Sequence, residues 1–323
     1  MTNIKNKTRK HVAVLMGGWS VEREISLSTG AGIVQALNEK GYLVQEIDLQ
    51  RDPSHLLSLL NPRPDVFFVA LHGKGVEDGT LQGFLNMIGI PYTHSGVLAS
   101  SIAMNKVMAK YIFQSMGIAT PDGIVASVDD VQKQHFFEPP YIIKPITEGS
   151  SVGVHLVQKG EVPFQLEKWG FGDQVLIEPF IEGREIQVAV IGSGRKEGPY
   201  QDRALGAIEI CPKTNTGFFD FTAKYTSGFA RHLMPAPLPK DVYEEALSLA
   251  LKAHQTLECR GVTRSDFMYQ ETGPDSGKFW LLEINTIPGM TPLSLVPEIA
   301  AHQGISYPDL VEYLVETAQC DAL

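Results

Sequence analysis

The chain reads as an α/β protein, α+β overall, with a parallel sheet at its N-terminal end and further sheets of another character behind it. Three observations predict this. Apolar runs of strand length alternate with helix-period segments over the first hundred residues. A strand, a glycine-rich turn and a second strand follow in the middle. A long amphipathic helix then leads into a hairpin whose one face gathers carboxylates. At 323 residues the chain is too long for one ordinary core and suits two or three modest domains.

Residues 12–16 form a short apolar run closed by Gly17-Gly18. A helical pattern around Ile33 and Leu37 stops at Gly41, and 43–49 reads as the next strand. Residues 65–71 are a third apolar run, and 80–88 read as a helix. This βαβ rhythm predicts a parallel sheet covered by helices. Ligands of such sheets sit beyond the carboxyl ends of the strands, where Gly17-Gly18-Trp19-Ser20 and His72-Gly73-Lys74-Gly75 fall. Residues 102–116 are helical by period and are broken by Thr120-Pro121. Residues 141–144, 153–158 and 174–179 read as strands around a glycine-rich turn, and a long strand at 185–191 opens the last region. Residues 212–237 have little periodicity and read as a long loop of the lid type. Residues 241–259 form the best helix, with Ala246, Leu249, Ala253 and Leu257 on one face. No internal repeat or low-complexity tract interrupts this order.

Bulk properties narrow the functional classes. The composition is 43% hydrophobic and 20% charged, as in a soluble globular protein. A net charge of −10 argues against a broad nucleic-acid surface, while leaving room for an anionic small substrate in a cleft lined by a few lysines. Cys211, Cys259 and Cys320 are widely spaced without CxxC pairing, so a reducing cytoplasm is expected. The basic start (Lys5, Lys7, Arg9, Lys10) precedes an apolar run shorter than a signal-peptide core, and reads as a solvated tail leading into a first strand. No stretch approaches ~20 apolar residues, so no membrane span is expected.

The hairpin carries the strongest chemistry. Residues 264–269 and 278–285 flank Gly273-Pro274-Asp275-Ser276-Gly277, a segment dense in turn residues. Strand alternation places Arg264, Asp266 and Met268 on one face and Phe267 and Tyr269 on the other. It also places Glu283 and Asn285 together, opposite Trp280, Leu282 and Ile284. A solvated outer face is the alternative for any polar strand. A free surface more often carries Lys, Thr or Ser than Asp, Glu and Asn together, and oxygen donors clustered this way suit Mg²⁺ beside substrate phosphates.

Upstream, Tyr141-Ile142-Ile143-Lys144-Pro145 runs into Glu148-Gly149-Ser150-Ser151-Val152-Gly153. Small residues let backbone N–H groups approach phosphate oxygens, and hydroxyls add donors. It is no P-loop, because Gly-Lys-Ser/Thr is missing and a strand follows in place of a helix. Lys144 and Lys106 are candidate phosphate contacts, and Lys144 is the stronger because it directly follows an apolar strand and precedes the glycine loop. Lys106 could equally be a solvated charge.

Several segments together resemble the D-alanine–D-alanine ligases of the ATP-grasp superfamily. They are residues 17–26, Leu71-His72-Gly73 with Glu77-Asp78-Gly79, Lys144-Pro145 with residues 148–153, and Ala223-Lys224-Tyr225. Arg264-Ser265-Asp266, residues 283–291 and Ser294-Leu295-Val296-Pro297 continue the series. They occur in the family's order over nearly the whole chain. Each is weak alone, and the set is specific.

The resemblance implies a three-domain ATP-grasp architecture. Residues 1–104 would be an α/β substrate-binding domain, 105–183 a central domain with the phosphate loop, and 184–323 a C-terminal domain with lid and metal site, the last two clamping ATP. It implies that ATP phosphorylates the carboxylate of one D-alanine and that the amine of a second attacks the acyl phosphate, in cytoplasmic synthesis of a peptidoglycan precursor. Glu22 would hold the first ammonium, with His72 nearby, and Glu22, Ser150 and Tyr225 would form a closing bridge. Lys106, Lys144 and Lys224 would contact phosphates, with Ser151 in the loop. Adenine would lie against Glu178, Phe180 and Ile181, with Glu185 on the ribose. Asp266, Glu283 and Asn285 would hold two Mg²⁺ ions, with Mn²⁺ able to replace them. Arg264 and the Gly289 N–H would stabilise the oxyanion, and Ser294 and Leu295 would meet the second carboxylate. A homodimer is expected from the family alone.

Bland readings stand beside these. Glu22 could sit in the first turn of a helix for its dipole, and a loop tyrosine such as Tyr225 is most often surface. Relatives that make a depsipeptide tend to lack that tyrosine, so its presence argues for an amine nucleophile. Pro179 stands where many relatives have a lysine near the adenine, and Trp19 and Ile287 replace the family's commoner Thr and Ser. Competing readings are another ATP-grasp ligase, acting on other amino acids or a hydroxy acid, a non-catalytic nucleotide binder, and a dinucleotide-dependent dehydrogenase. The dehydrogenase lacks GxGxxG and leaves the hairpin unexplained. A non-catalytic homologue should have lost Arg264, Asp266 or Asn285.

Overall fold

Strand β1 (His11–Gly17) is buried along its whole length and lies between two parallel partners. These are β2 (Leu43–Leu49) and β3 (Val66–Val69), in the order β2-β1-β3. The structure is a computed structural model that describes residues 9–165, 169–194, 200–212, 230–292 and 294–321. Helix α1 (Arg23–Glu39) crosses from β1 to β2 and buries Ile33, Ala36 and Leu37 against the sheet. Gly30 permits that contact, since a Cβ there would stand 2.7 Å from the Met16 Cβ. The short helix α2 (Pro53–Ser58), then α3 (Thr80–Ile88), α4 (Val97–Met104) and α5 (Lys106–Ser115) follow. The helix expected over 102–116 is therefore two helices. Asn105 leaves the helical region (ψ 95) and its side chain accepts from Met108 N, capping α5.

The second sheet is antiparallel, in the order β4-β7-β5-β6. It comprises β4 (Ile124–Ser127), β5 (Tyr141–Lys144), β6 (His155–Val157) and β7 (Gln174–Pro179), with the single turn α6 (Val128–Val131) after β4. Tyr141, Ile143, Val157, Val175 and Ile177 form its small core.

The third sheet runs β10-β9-β8-β11-β12. Its strands are β8 (Arg184–Gly192), β9 (Arg203–Pro212), β10 (Ala230–Leu233), β11 (Gly261–Gln270) and β12 (Lys278–Asn285). Helix α7 (Lys240–Thr256) precedes β11, and α8 (Leu295–His302) and α9 (Tyr307–Thr317) close the chain. Two of these strands went unread in the sequence. β9 pairs along β8 with a register shift at Ala189/Val190, and β10 falls inside the expected 212–237 loop, of which 213–229 lie outside the described residues.

One face of this sheet (Ile186, Val188, Phe267, Leu281, Ile284) packs on α5 and α7. The opposite face is divided along its length. Ala189, Ile191 and Val262 at one end join Val12, Val14, Ile33 and Leu37 in a core shared with the N-terminal sheet. At the other end the same face carries Glu185, Gln187, Arg264 and Asp266, and this polar end faces the second sheet across a cavity. Among the described residues no helix is long and apolar enough to cross a membrane.

Candidate active site

The β11–β12 ladder sets Arg264 opposite Asn285 and Asp266 opposite Glu283. The ladder then slips, and Phe267 faces Leu281, so Leu282 is the extra residue of a bulge. Strict alternation therefore fails on β12. Trp280 and Leu282, expected opposite Glu283, are half-buried on the site side, while Phe279, Leu281 and Ile284 form the packed face. On β11 the expectation holds, with Arg264, Asp266 and Met268 on the site face and Phe267 and Tyr269 in the core.

Arg264 Nε and Nη2 donate to the two oxygens of Asp266 at 2.7 and 2.9 Å, which fixes the plane of the guanidinium. Each carboxylate oxygen keeps lone-pair capacity for a cation. Among the described residues no three His, Cys, Asp or Glu side chains converge on one point. Two carboxylates and an amide do share the strand end. This all-oxygen set fits Mg²⁺ that completes its shell with water and phosphate, and it would not suit a soft metal.

A cavity of about 550 Å³ opens in front of this strand end. Lys144, Ser151, Phe180, Ile181, Glu185, Asp266 and Glu283 all line it, so residues expected at ATP and at metal meet in one space. Lys106, at the start of α5, is buried. Its Nζ donates to the Glu148 carbonyl at 2.5 Å and lies 3.7 Å from Glu283. Lys144 ends β5 and reaches Glu178 Oε2 at 2.5 Å. Burial pushes the Glu178 carboxyl up, but Lys144 and Lys110 outweigh it and hold it below its ordinary value. Lys110 is a site residue the sequence reading missed. It stands one helical turn after Lys106 on the same buried face, which is the signal that could have found it.

The glycine loop bends through Ser150 and Ser151, both in the left-handed region (φ 52 and 58). That conformation brings Ser150 Oγ to Glu22 Oε1 at 2.7 Å. Glu22 directly precedes α1 and is buried. His72 follows β3, and a Cβ on Gly73 would stand 3.3 Å from Glu22 Oε2, so the two loops are in contact. His72 Nδ1 lies 3.5 Å from Glu77, and its buried Nε2 has no hydrogen-bond partner among the described residues. A pocket lined by Lys106, Ser150, Glu283 and Asn285 joins the loop to the strand end.

Gly289 and Ser294 are neighbours, since a Cβ on Gly289 would stand 3.0 Å from Ser294 Oγ. Ser294 accepts from Thr291 N at 3.1 Å and stands at the N-cap position of α8 without a side-chain bond to the helix. The Leu295 side chain packs on the core shared with the N-terminal sheet. Tyr225 and Lys224 lie outside the described residues.

Residues 112–316 match the family profile "D-ala D-ala ligase C-terminus". A D-alanine–D-alanine ligase of Parvibaculum lavamentivorans is 47% identical over 97% of this chain and 98% of its own. A D-alanine–D-alanine ligase B of Mesorhizobium japonicum is 48% identical over 96% and 98%. The solved structure of a Bacillus anthracis D-alanine–D-alanine ligase complexed with ATP superposes with a TM-score of 0.74, at 30% identity and 96% coverage of both chains. A D-Ala:D-Ser ligase from Enterococcus faecalis superposes with a TM-score of 0.75, at 26% identity over 96% of this chain and 99% of that one.

Proposed function

The chain belongs to the D-alanine–D-alanine ligase family, and from that premise we propose that it joins two molecules of D-alanine at the expense of ATP, in making a peptidoglycan precursor in the cytoplasm. The observation that carries the reading is the Ser150–Glu22 hydrogen bond, which ties the phosphate loop to the carboxylate that would hold an amino acid.

In this reading the 550 Å³ cavity takes ATP, with adenine against Glu178, Phe180 and Ile181 and ribose on Glu185. Lys106, Lys144 and Lys224 bind its phosphates, and the Ser151 region of the loop covers them. Glu22 holds the ammonium of the first D-alanine, and His72 Nε2, buried and unpaired among the described residues, is a donor or acceptor for the same molecule. A carboxylate oxygen of that D-alanine attacks the γ-phosphorus, ADP leaves, and an acyl phosphate forms. The amine of the second D-alanine then attacks the acyl carbon and loses a proton, and phosphate leaves as the amide forms. Arg264, its plane held by Asp266, and the Gly289 N–H donate to the oxyanion that develops between these events. The second carboxylate meets Ser294 and the first N–H of α8 at Leu295, donors left without intrahelical partners at a helix start. Asp266, Glu283 and Asn285 would hold two Mg²⁺ or Mn²⁺ ions, which neutralise charge on the transferring phosphoryl group when bound. Ser150, Glu22 and Tyr225 close the site against water.

Residues 1–104, 105–183 and 184–323 act as substrate domain, central domain and C-terminal domain, and the family suggests a homodimer. The test is ADP release from purified protein with ATP, Mg²⁺ and single amino acids. D-alanine should stimulate release and L-alanine should not. Equal release with both would remove the assignment.

A further inference from the structure

Two buried ammonium groups share one buried carboxylate at the floor of the large cavity. Glu178 on β7 takes Lys144 on one oxygen at 2.5 Å and Lys110 on the other. All three residues are more than nine-tenths buried. Only Lys144 and Glu178 line the cavity, while Lys110 stands behind them and also contacts the carbonyl of Pro121. A lone Lys144–Glu178 pair would be electrically closed. Drawing its ammonium toward a phosphate would strand a buried carboxylate, which is a costly state.

We propose that Lys110 is a positioning residue that keeps Glu178 compensated when Lys144 turns from Glu178 to the phosphates of ATP. The inference rests on the reading that this cavity binds ATP. One negative and two positive charges leave the floor with a net positive charge in a low-dielectric setting, where a phosphate feels it strongly. Lys110 cannot serve the nucleotide directly, because its amine is turned to Glu178 and Pro121. Its effect passes through Lys144, which is released because Glu178 has a second partner. Burial works against the Lys110 ammonium and drives its pKa down, and Glu178 pulls the other way.

The experiment measures the affinity for Mg·ATP by calorimetry, and KM for ATP and for D-alanine, in wild type, Lys110→Met, Lys110→Gln and the double variant Lys110→Met/Glu178→Gln. Lys110→Met should weaken ATP binding about tenfold or more, because Lys144 is then captured by Glu178. KM for D-alanine should stay put. The double variant removes one charge of each sign and leaves Lys144 uncaptured, so it should bind ATP more tightly than Lys110→Met, with any remaining loss against wild type measuring the adenine contact of Glu178. Unchanged ATP affinity in Lys110→Met overturns the proposal, and so does a double variant no better than the single one. Equal rises in both KM values would show a merely structural role. Lys110→Gln stands in if Lys110→Met does not fold. If neither variant folds cooperatively, Lys110 is a structural anchor and the proposal falls. Failure of the wild type to bind ATP would remove the underlying assignment of the cavity instead.

Discussion

Ser150 Oγ donates to Glu22 Oε1 at 2.7 Å, a contact between residues 128 positions apart that links the glycine loop to the start of α1. In the proposed reading, this contact couples the loop that would cover phosphate to the occupant of the amino-acid pocket. Ser150→Ala should lower kcat/KM for D-alanine roughly tenfold to a hundredfold, the range for one hydrogen bond to a charged group. Steady-state kinetics with D-alanine varied at saturating ATP decide this. An unchanged ratio would mean that the contact is incidental.

Asn285 sits opposite Arg264 on the ladder and its Oδ1 accepts from Ile287 N at 2.9 Å. Asn285→Ala should reduce turnover by on the order of a hundredfold and raise the Mg²⁺ concentration needed for half-maximal rate. The loss in stability should be only about 1 kcal/mol, the worth of the hydrogen bond to Ile287. Turnover that survives the substitution removes Asn285 from the metal set.

His254 is fully buried in α7, with Nδ1 2.8 Å from Thr263 Oγ1. Burial pushes its pKa from 6.5 down to about 4. Between those values the unfolded chain carries the extra proton. This contribution to stability is complete above about pH 6.5 and is lost as pH falls toward 4. Wild type should therefore lose stability relative to His254→Gln by about 1.4 kcal/mol per pH unit across that window. Urea unfolding of both proteins at matched pH tests this, and a difference that does not vary with pH contradicts it.

Gly183 lines the 550 Å³ cavity between β7 and β8, and a Cβ there would stand 2.4 Å from the Tyr269 carbonyl oxygen. That neighbour is backbone and cannot step aside. Gly183→Ala should destabilise by about 1–3 kcal/mol through overpacking. A variant as stable as wild type in urea unfolding would show that β8 and β11 can part at no cost.

The sequence was legible where one rule governed the outcome. Continuous apolar runs gave β1 and β3, period and a glycine stop gave α1, and alternation put Arg264 and Asp266 on one face of β11. It was opaque where a long-range partner decided. β9 has a mixed pattern and becomes a strand because β8 lies beside it. The stretch 102–116 keeps helical period throughout, yet Asn105 caps a second helix inside it. Lys110 follows Lys106 by one turn, but its role is fixed only where β7 places Glu178 against it. The roles assigned to Glu22, Ser294 and Gly289 came from the family pattern, since nothing in their local sequence separates them from ordinary cap and turn residues.

The bulge at Leu282 gives length changes a special meaning at this site. Removing that one residue would leave Glu283 opposite Asp266 and Leu281 opposite Phe267, because the ladder already pairs them so. Deletion would change the lining of the cavity and spare the polar machinery. Deletion would thus take an apolar residue out of the cavity wall with both paired positions kept, whereas a substitution would leave the extra residue and its bulge in place.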